Sequence, residues 1–405
     1  MPRLQIYNPR ERALVTAVDG LLRAATGVAR PFRGRHPPDR PRRILLLRLE
    51  RIGDLLMALP AIGDVRALAP DAEIDLVVGS WNAELAGALP SVSRVLTLDA
   101  AWLAREHDGL GIPALVGAAR QWRRSSYDLA LNFEPDIRTN LLASASGARW
   151  TAGYASGGGG SLLDVALEYD VRAHTTDNAR RLVSTVFGRT PPPRTGGHLV
   201  LPAKAQETAS RMLAGFRRPL VGVHVSGGRA IKQWDLDRFA TVARQLISAR
   251  GAHIVLTGST GDRPLVEEVK RMLPTASAID AAGDSDLLTV AALLSRLDLL
   301  VTGDTGPMHL AAEVGTPIVA VFGPSDPARY APRAANDRIV RVDLPCSPCN
   351  RIRLPPARCV GHTPDCLAFI SADRVVAEAI AALDAIAPQI PSRGAVATTL
   401  RASRE

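Results

Sequence analysis

Residues 301–312 read Val301-Thr302-Gly303-Asp304-Thr305-Gly306-Pro307-Met308-His309-Leu310-Ala311-Ala312. An apolar run ends in a glycine turn and passes straight into a helical pattern. Pro307 falls in the first turn, where a missing N–H costs nothing. A strand that delivers the chain directly into a helix start is the building unit of a parallel sheet wrapped by helices. The amides of Thr305, Gly306 and Met308 have no partner inside such a helix, so together with the helix dipole they suit one anion. A well-capped turn with an incidental His309 is the plainer alternative.

The same alternation runs outward in both directions. Before it, strand-like runs at 220–225, 253–257 and 297–301 alternate with helical patterns at 235–249, 262–273 and 286–295, and 317–322 follows it as another strand. An earlier series begins at 44–47, feeds a helix over 53–68, and continues through 74–78, 95–98 and 129–132 with helix-like segments at 113–124 and 136–146. Two doubly wound α/β domains are therefore expected, with ligands in a cleft at the carboxyl ends of their strands. The predicted boundaries are an arm at 1–42, a first domain at 43–174, a helix and proline-rich link at 175–195, a second domain at 196–387, and a disordered tail at 388–405. Gly157-Gly158-Gly159-Gly160 marks the point where the first pattern weakens.

Three further strand ends carry candidate chemistry. Arg48-Leu49-Glu50-Arg51-Ile52-Gly53-Asp54 sets Asp54 at a helix start, as a cap or as a general base at the mouth of the cleft. His224-Val225-Ser226-Gly227-Gly228 allows close backbone approach by an anion, and Lys232 follows it. Only Lys204, Lys232 and Lys270 among 49 basic residues are lysine. A lysine kept in an arginine-rich chain suggests a need for a compact ammonium. Thr257 and Gly258 close another strand of the same domain and border a nucleoside in one reading, an ordinary loop in the other.

Composition narrows the classes. The chain has 405 residues and a net charge of +9. No apolar stretch approaches the ~18 residues of a membrane span, and no secretory pattern opens the sequence, so a cytoplasmic protein is expected. Ten arginines in residues 1–43 oppose only Glu11, Asp19 and Asp39. The charge is thus confined to one arm with few aromatics, which argues against a nucleic-acid surface. Asn8-Pro9 starts a helix there, and Leu14, Val18, Leu21, Ala25 and Val28 share one face. Such a basic amphipathic helix either lies on anionic lipid or docks on the protein's own surface. Cys346, Cys349, Cys359 and Cys366 crowd into one segment, which admits a structural zinc or iron, reduced thiols, or a disulfide.

Taken together these motifs resemble glycosyltransferase family 9, the group that contains the lipopolysaccharide heptosyltransferases. The likeness runs over about 43–385. Its most specific parts are the opening Arg48–Pro60 and the Gly303–Ala312 run. Leu131–Arg138, Gly153-Tyr154, Lys232-Gln233-Trp234, Phe322–Pro327 and the Cys346–Cys349 segment complete the order. The resemblance implies a GT-B fold of two Rossmann-like domains and an inverting transfer that needs no catalytic metal. Asp54 would deprotonate the acceptor, and Lys232 would neutralise the leaving diphosphate. Ser226, Gly227, Gly228, Thr257, Gly258, Asp304, Thr305, Gly306 and His309 would hold a nucleotide-sugar donor, while Arg51 and Arg138 would face the acceptor. Some members hold iron at a cysteine cluster, which favours a metal at the four cysteines. The expected activity is transfer of heptose from ADP-heptose to a lipid-linked saccharide, peripherally at the inner face of the bacterial inner membrane. Use of another nucleotide sugar for protein or capsule glycosylation, or a non-catalytic binding role, are the alternatives. Glu50-Arg51 departs from the small serines common at that place in heptosyltransferases.

Overall fold

The computed structural model describes residues 4–6, 8–29, 38–103, 109–192, 197–283 and 285–386. The predicted tail at 388–405, the end of the proline-rich link, parts of the arm and the side chain of Val28 lie outside the described residues.

Among the described residues, twelve strands form two six-stranded sheets. The first comprises β1 (Arg43–Leu47), β2 (Glu73–Val78), β3 (Arg94–Thr97), β4 (Leu129–Asn132), β5 (Trp150–Tyr154) and β6 (Val165–Leu167). The second comprises β7 (Leu220–His224), β8 (His253–Thr257), β9 (Ala278–Asp280), β10 (Leu299–Gly303), β11 (Ile318–Val321) and β12 (Arg338–Val340). Their orders are β3-β2-β1-β4-β5-β6 and β12-β11-β10-β7-β8-β9, with every neighbouring pair parallel. Both follow the 3-2-1-4-5-6 winding of a dinucleotide-binding sheet, so the strand order reverses between β1 and β4 and between β7 and β10. The central strands are unbroken apolar runs because helices cover both faces. This is the GT-B architecture of two Rossmann-like domains.

Two helices matter most for the site. α1 spans Pro9–Ala29, and α2 spans Ile52–Leu68. Leu55–Val65 of α2 are buried apart from the half-buried Pro60, and Asp64 is the one charged side chain among them. That pattern fits a helix covered on all sides: α2 packs on the helix Thr175–Phe187 and on the start of the helix Gly306–Glu313 from the second half. The halves are tied again where His174 Nε2 lies 3.1 Å from the Ala331 carbonyl, and where Arg333 grips the Asp177 carboxylate at 2.8 Å through both nitrogens.

The arm departs from a simple choice between lipid and self-docking. Asn8 caps α1 as its spacing predicts, with Oδ1 accepting from the amides of Arg10 and Glu11. The face that docks on the body is Val15 and Asp19, not the expected apolar stripe. Leu14, Val18 and Leu21 point outward, and Leu14 and Leu21 are 65% and 73% exposed.

Candidate active site

The first half presents a carboxylate cluster at its switch point. Directly after β1 comes Arg48, whose guanidinium is buried and donates to the carbonyls of Phe133 and Asp54. It also approaches Asp54 Oδ1 at 3.5 Å and Glu50 Oε2 at 3.0 Å. Asp54 Oδ2 accepts from the Arg51 amide at 3.3 Å, so Asp54 caps α2 while its side chain stays about a third exposed to the cleft. The capping reading of this residue is met, and its carboxylate also lines the cleft. Glu134, just beyond β4, is buried and accepts from the amides of Leu49 and Glu50. Burial, then Glu50, push its carboxyl up to about 8; burial and Asp54 push Glu50 up to about 7. Arg48 is the counter-charge, held above the ordinary arginine range by Glu50 and Asp54 although burial opposes it.

The second half supplies cations and free amides. Lys232 donates to the Asp304 carbonyl, and its Nζ lies 3.1 Å from Asp304 Oδ2. Burial alone would raise the Asp304 carboxyl, but Lys232 and His309 more than offset this and hold it below the usual range. Burial draws the His309 imidazole below its usual range, against the opposing pull of Asp304 and Asp54. Thr305 is the N-cap residue of the helix Gly306–Glu313, and its hydroxyl lies 3.2 Å from that of Thr302. Gly227 is required by close packing: a Cβ there would lie 2.6 Å from the Gln233 nitrogen and Lys232 carbonyl carbon. Its amide donates to Gln233 Oε1 at 2.8 Å, and Gly228 follows at φ +65°. Thr257 is buried with its hydroxyl 3.2 Å from His224 Nδ1, and Gly258 completes that edge.

These groups share one cleft of about 1530 Å³. Asp54, Lys232, Asp304, Thr305, Gly306 and His309 all line it, as do Arg51, Ser226, Gly227, Gly228, Thr257 and Gly258. Arg138 does not line it. Its guanidinium is taken up by Asp136, lies 4.4 Å over the Trp102 ring and reaches Glu11 at 3.8 Å. The cleft thus pairs a carboxylate on one wall with an ammonium and a helix amino terminus on the other. Chemically, that arrangement suits removal of a proton on one side and stabilisation of a departing anion on the other.

Comparison with known proteins agrees with this geometry. The profile of glycosyltransferase family 9 (heptosyltransferase) matches residues 117–356, more than half of the chain. The chain belongs to glycosyltransferase family 9. Lipooligosaccharide heptosyltransferase 2 of Haemophilus influenzae is 26% identical over 74% of this chain and 88% of its own. A family 9 glycosyltransferase of Veillonella parvula superposes with a TM-score of 0.71 over 85% of this chain and 98% of that one, at 24% identity. The ADP-heptose lipopolysaccharide heptosyltransferase II of Escherichia coli gives 0.69 over 85% and 99%, at 22% identity. The last two likenesses establish the fold.

Other parts of this glycosyltransferase's cleft escaped sequence reading. Glu134, buried behind the cleft rather than lining it, was read only as part of a family motif, because nothing local marks a glutamate as buried. Gln5, Ile6, Asn8 and Glu11 line the cleft from the arm, and Arg351–Leu354 line it from the cysteine-rich segment. That segment is pinned where the amides of Cys349 and Asn350 donate to the Pro324 carbonyl. Asp235 sits at a helix N-cap, but its carboxylate bonds Thr363 and Arg238 rather than helix amides.

The cysteine-rich segment does not form the expected metal site as placed. Cys346, Cys349, Cys359 and Cys366 are free thiols, near enough for Cys366 to feel the other three. Yet among the described residues no three His, Cys, Asp or Glu side chains converge as a metal ion needs. Burial, then the three other cysteines, push the Cys366 thiol up to about 11.

Proposed function

We propose that this enzyme transfers heptose from ADP-heptose onto a hydroxyl of a lipid-linked saccharide in lipopolysaccharide core assembly. The names of its relatives suggest the sugar and the pathway. The convergence of Asp54, Lys232 and the amino end of the Gly306–Glu313 helix on one cleft supports the chemistry. In this reading the acceptor oxygen attacks the anomeric carbon while Asp54 takes its proton. The bond from that carbon to the diphosphate breaks on the opposite face, which inverts the anomeric centre. Lys232 and the amides of Thr305 and Gly306 receive the charge that develops on the leaving diphosphate. Gly227, Gly228 and Ser226 flank the phosphates, Thr257 and Gly258 border the nucleoside, and Arg51 faces the acceptor. No helix among the described residues is long and apolar enough to cross a membrane. The outward face of α1, with Leu14, Val18 and Leu21 beside the exposed Arg10 and Arg12, suits a peripheral hold on anionic lipid.

The deciding experiment uses ADP-heptose and the water-soluble saccharide released by deacylating a heptose-deficient lipopolysaccharide. The intact chain should transfer heptose. Asp54→Ala should lower kcat about 10²–10⁴-fold, the usual range for a lost general base, while ADP-heptose still binds within about threefold. Full turnover by Asp54→Ala would overturn the assignment of the base.

A further inference from the structure

The acceptor wall of the cleft is partly built from the N-terminal arm. The Gly157–Gly160 run, which reads as a break in the sequence pattern, is the seat for that arm. A Cβ on Gly157 would lie 1.9 Å from the Pro135 carbonyl oxygen, so this turn can press against the loop after β4 only as glycine. Gly158, at φ +89°, leaves a notch that Val15 fills: an added Cβ would lie 2.6 Å from Val15 Cγ1. The Gly159 amide donates to the buried Asp19 carboxylate at 2.8 Å, and Arg23 neutralises that carboxylate at 2.7 Å. Ahead of α1, the Gln5 amide donates to the Ser156 carbonyl at 2.9 Å, and Gln5 Nε2 donates to the Tyr169 carbonyl at 2.8 Å. Every one of these attachments is to the half that carries Asp54.

The attachments bring Gln5, Ile6, Asn8 and Glu11 to the cleft. The polar groups left over there are complementary to hydroxyls. Gln5 spends its N–H on Tyr169 and keeps Oε1 as an acceptor, whereas Asn8 spends Oδ1 on the helix cap and keeps its N–H₂ as a donor. Glu11 brings a half-exposed carboxylate, steadied by Arg138 where that guanidinium lies on Trp102. A carboxylate and two carboxamides disfavour a phosphate and favour the mixed donors and acceptors of a sugar.

We propose that Gln5, Ile6, Asn8 and Glu11, fixed by α1 on its glycine seat, form a saccharide-reading wall of the acceptor subsite. This rests on the reading that Asp54 faces the acceptor. It goes beyond that reading by assigning acceptor recognition to the arm, separately from any contact the outer face of α1 makes with lipid.

The test uses the deacylated saccharide in solution without vesicles, so lipid binding cannot contribute. The surface variant Q5A/E11A and a chain lacking residues 1–29 are compared with the intact enzyme, each checked for folding by circular dichroism. Both should raise the KM for the saccharide at least about tenfold and leave the KM for ADP-heptose within about twofold. Direct binding of the saccharide by saturation-transfer NMR should weaken in parallel. Unchanged saccharide KM in folded Q5A/E11A would overturn the wall and leave the transfer reading standing. Saccharide binding that is weakened in the variants but never turned over would do the reverse. Failure of the intact chain to bind the saccharide would sink both.

Discussion

Gly53 at the start of α2 abuts the His309 ring of the opposite half, so closely that a Cβ on Gly53 would lie 2.8 Å from His309 Cδ2. Two helix amino termini, one bearing Asp54 and one bearing Asp304–Gly306, therefore meet with only a hydrogen atom's width between them. Gly53→Ala should force the imidazole aside or open the cleft. Because proximity effects are steep, an ångström of misplacement costs on the order of 10²-fold in rate. The expected outcome is a kcat lowered by about 10–100-fold in a protein that still folds, measured by steady-state transfer with the melting temperature recorded alongside. An unchanged kcat would show that the halves do not need this contact.

Lys232 offers a sharper contrast. Its ammonium donates to both the carbonyl and the carboxylate of Asp304. In the proposed transfer Lys232→Ala removes the cation that would face the leaving group, and loss of one such stabilising contact costs about 10²–10³-fold in kcat. Lys232→Arg keeps the charge but replaces a compact ammonium, bonded to both the carbonyl and the carboxylate of Asp304, by a planar fork, so it should restore little. Comparing kcat for the two variants checks this, and full activity in Lys232→Arg would count against a geometric requirement.

Much of this was readable before any coordinates. Long apolar runs alternating with helical patterns specify a parallel sheet because both faces must be buried, and the glycine turns mark where strands deliver residues to the cleft. Residues 304–309, Lys232 and Asp54 were legible because each sits at a strand-to-helix junction, where local chemistry and position coincide. Arg138 was misplaced: its charge is spent on Asp136, which no spacing reveals. Gln5, Glu11 and Arg353 reach the cleft through contacts far apart in sequence. The glycine run read as a break because its partner, Val15, lies more than a hundred residues away.

The Glu50–Glu134 pair makes a prediction about pH. Both carboxyls are raised in the folded protein, to about 7 and about 8, from an ordinary 4.5. Between about 4.5 and 8 the folded state thus holds protons that the unfolded chain releases, so this pair's contribution to stability falls as pH rises. It is fully present below 4.5, where both states are protonated. Glu134→Gln keeps an oxygen for the amides of Leu49 and Glu50 but removes the titration. The loss of melting temperature from pH 5 to pH 8 should be smaller in this variant than in the parent enzyme. Parallel curves would mean that Glu134 is ionised throughout.

The outer face of α1 gives the last prediction, and it separates lipid binding from catalysis. Leu14 and Leu21 are largely exposed, while the buried Val15 and Asp19 hold the helix to the glycine seat. Replacing both leucines by serine therefore removes apolar area without disturbing the fold, and the melting temperature should not move. A leucine transferred from water into an apolar layer contributes about 2 kcal/mol. Partition onto anionic phosphatidylglycerol vesicles should accordingly weaken by at least tenfold in the double variant L14S/L21S, measured by sedimentation. Added salt should weaken binding of the parent enzyme, because Arg10 and Arg12 contribute through screened charge. Transfer to the soluble deacylated saccharide should be untouched. Vesicle binding that survives both serines would move the lipid contact off this helix.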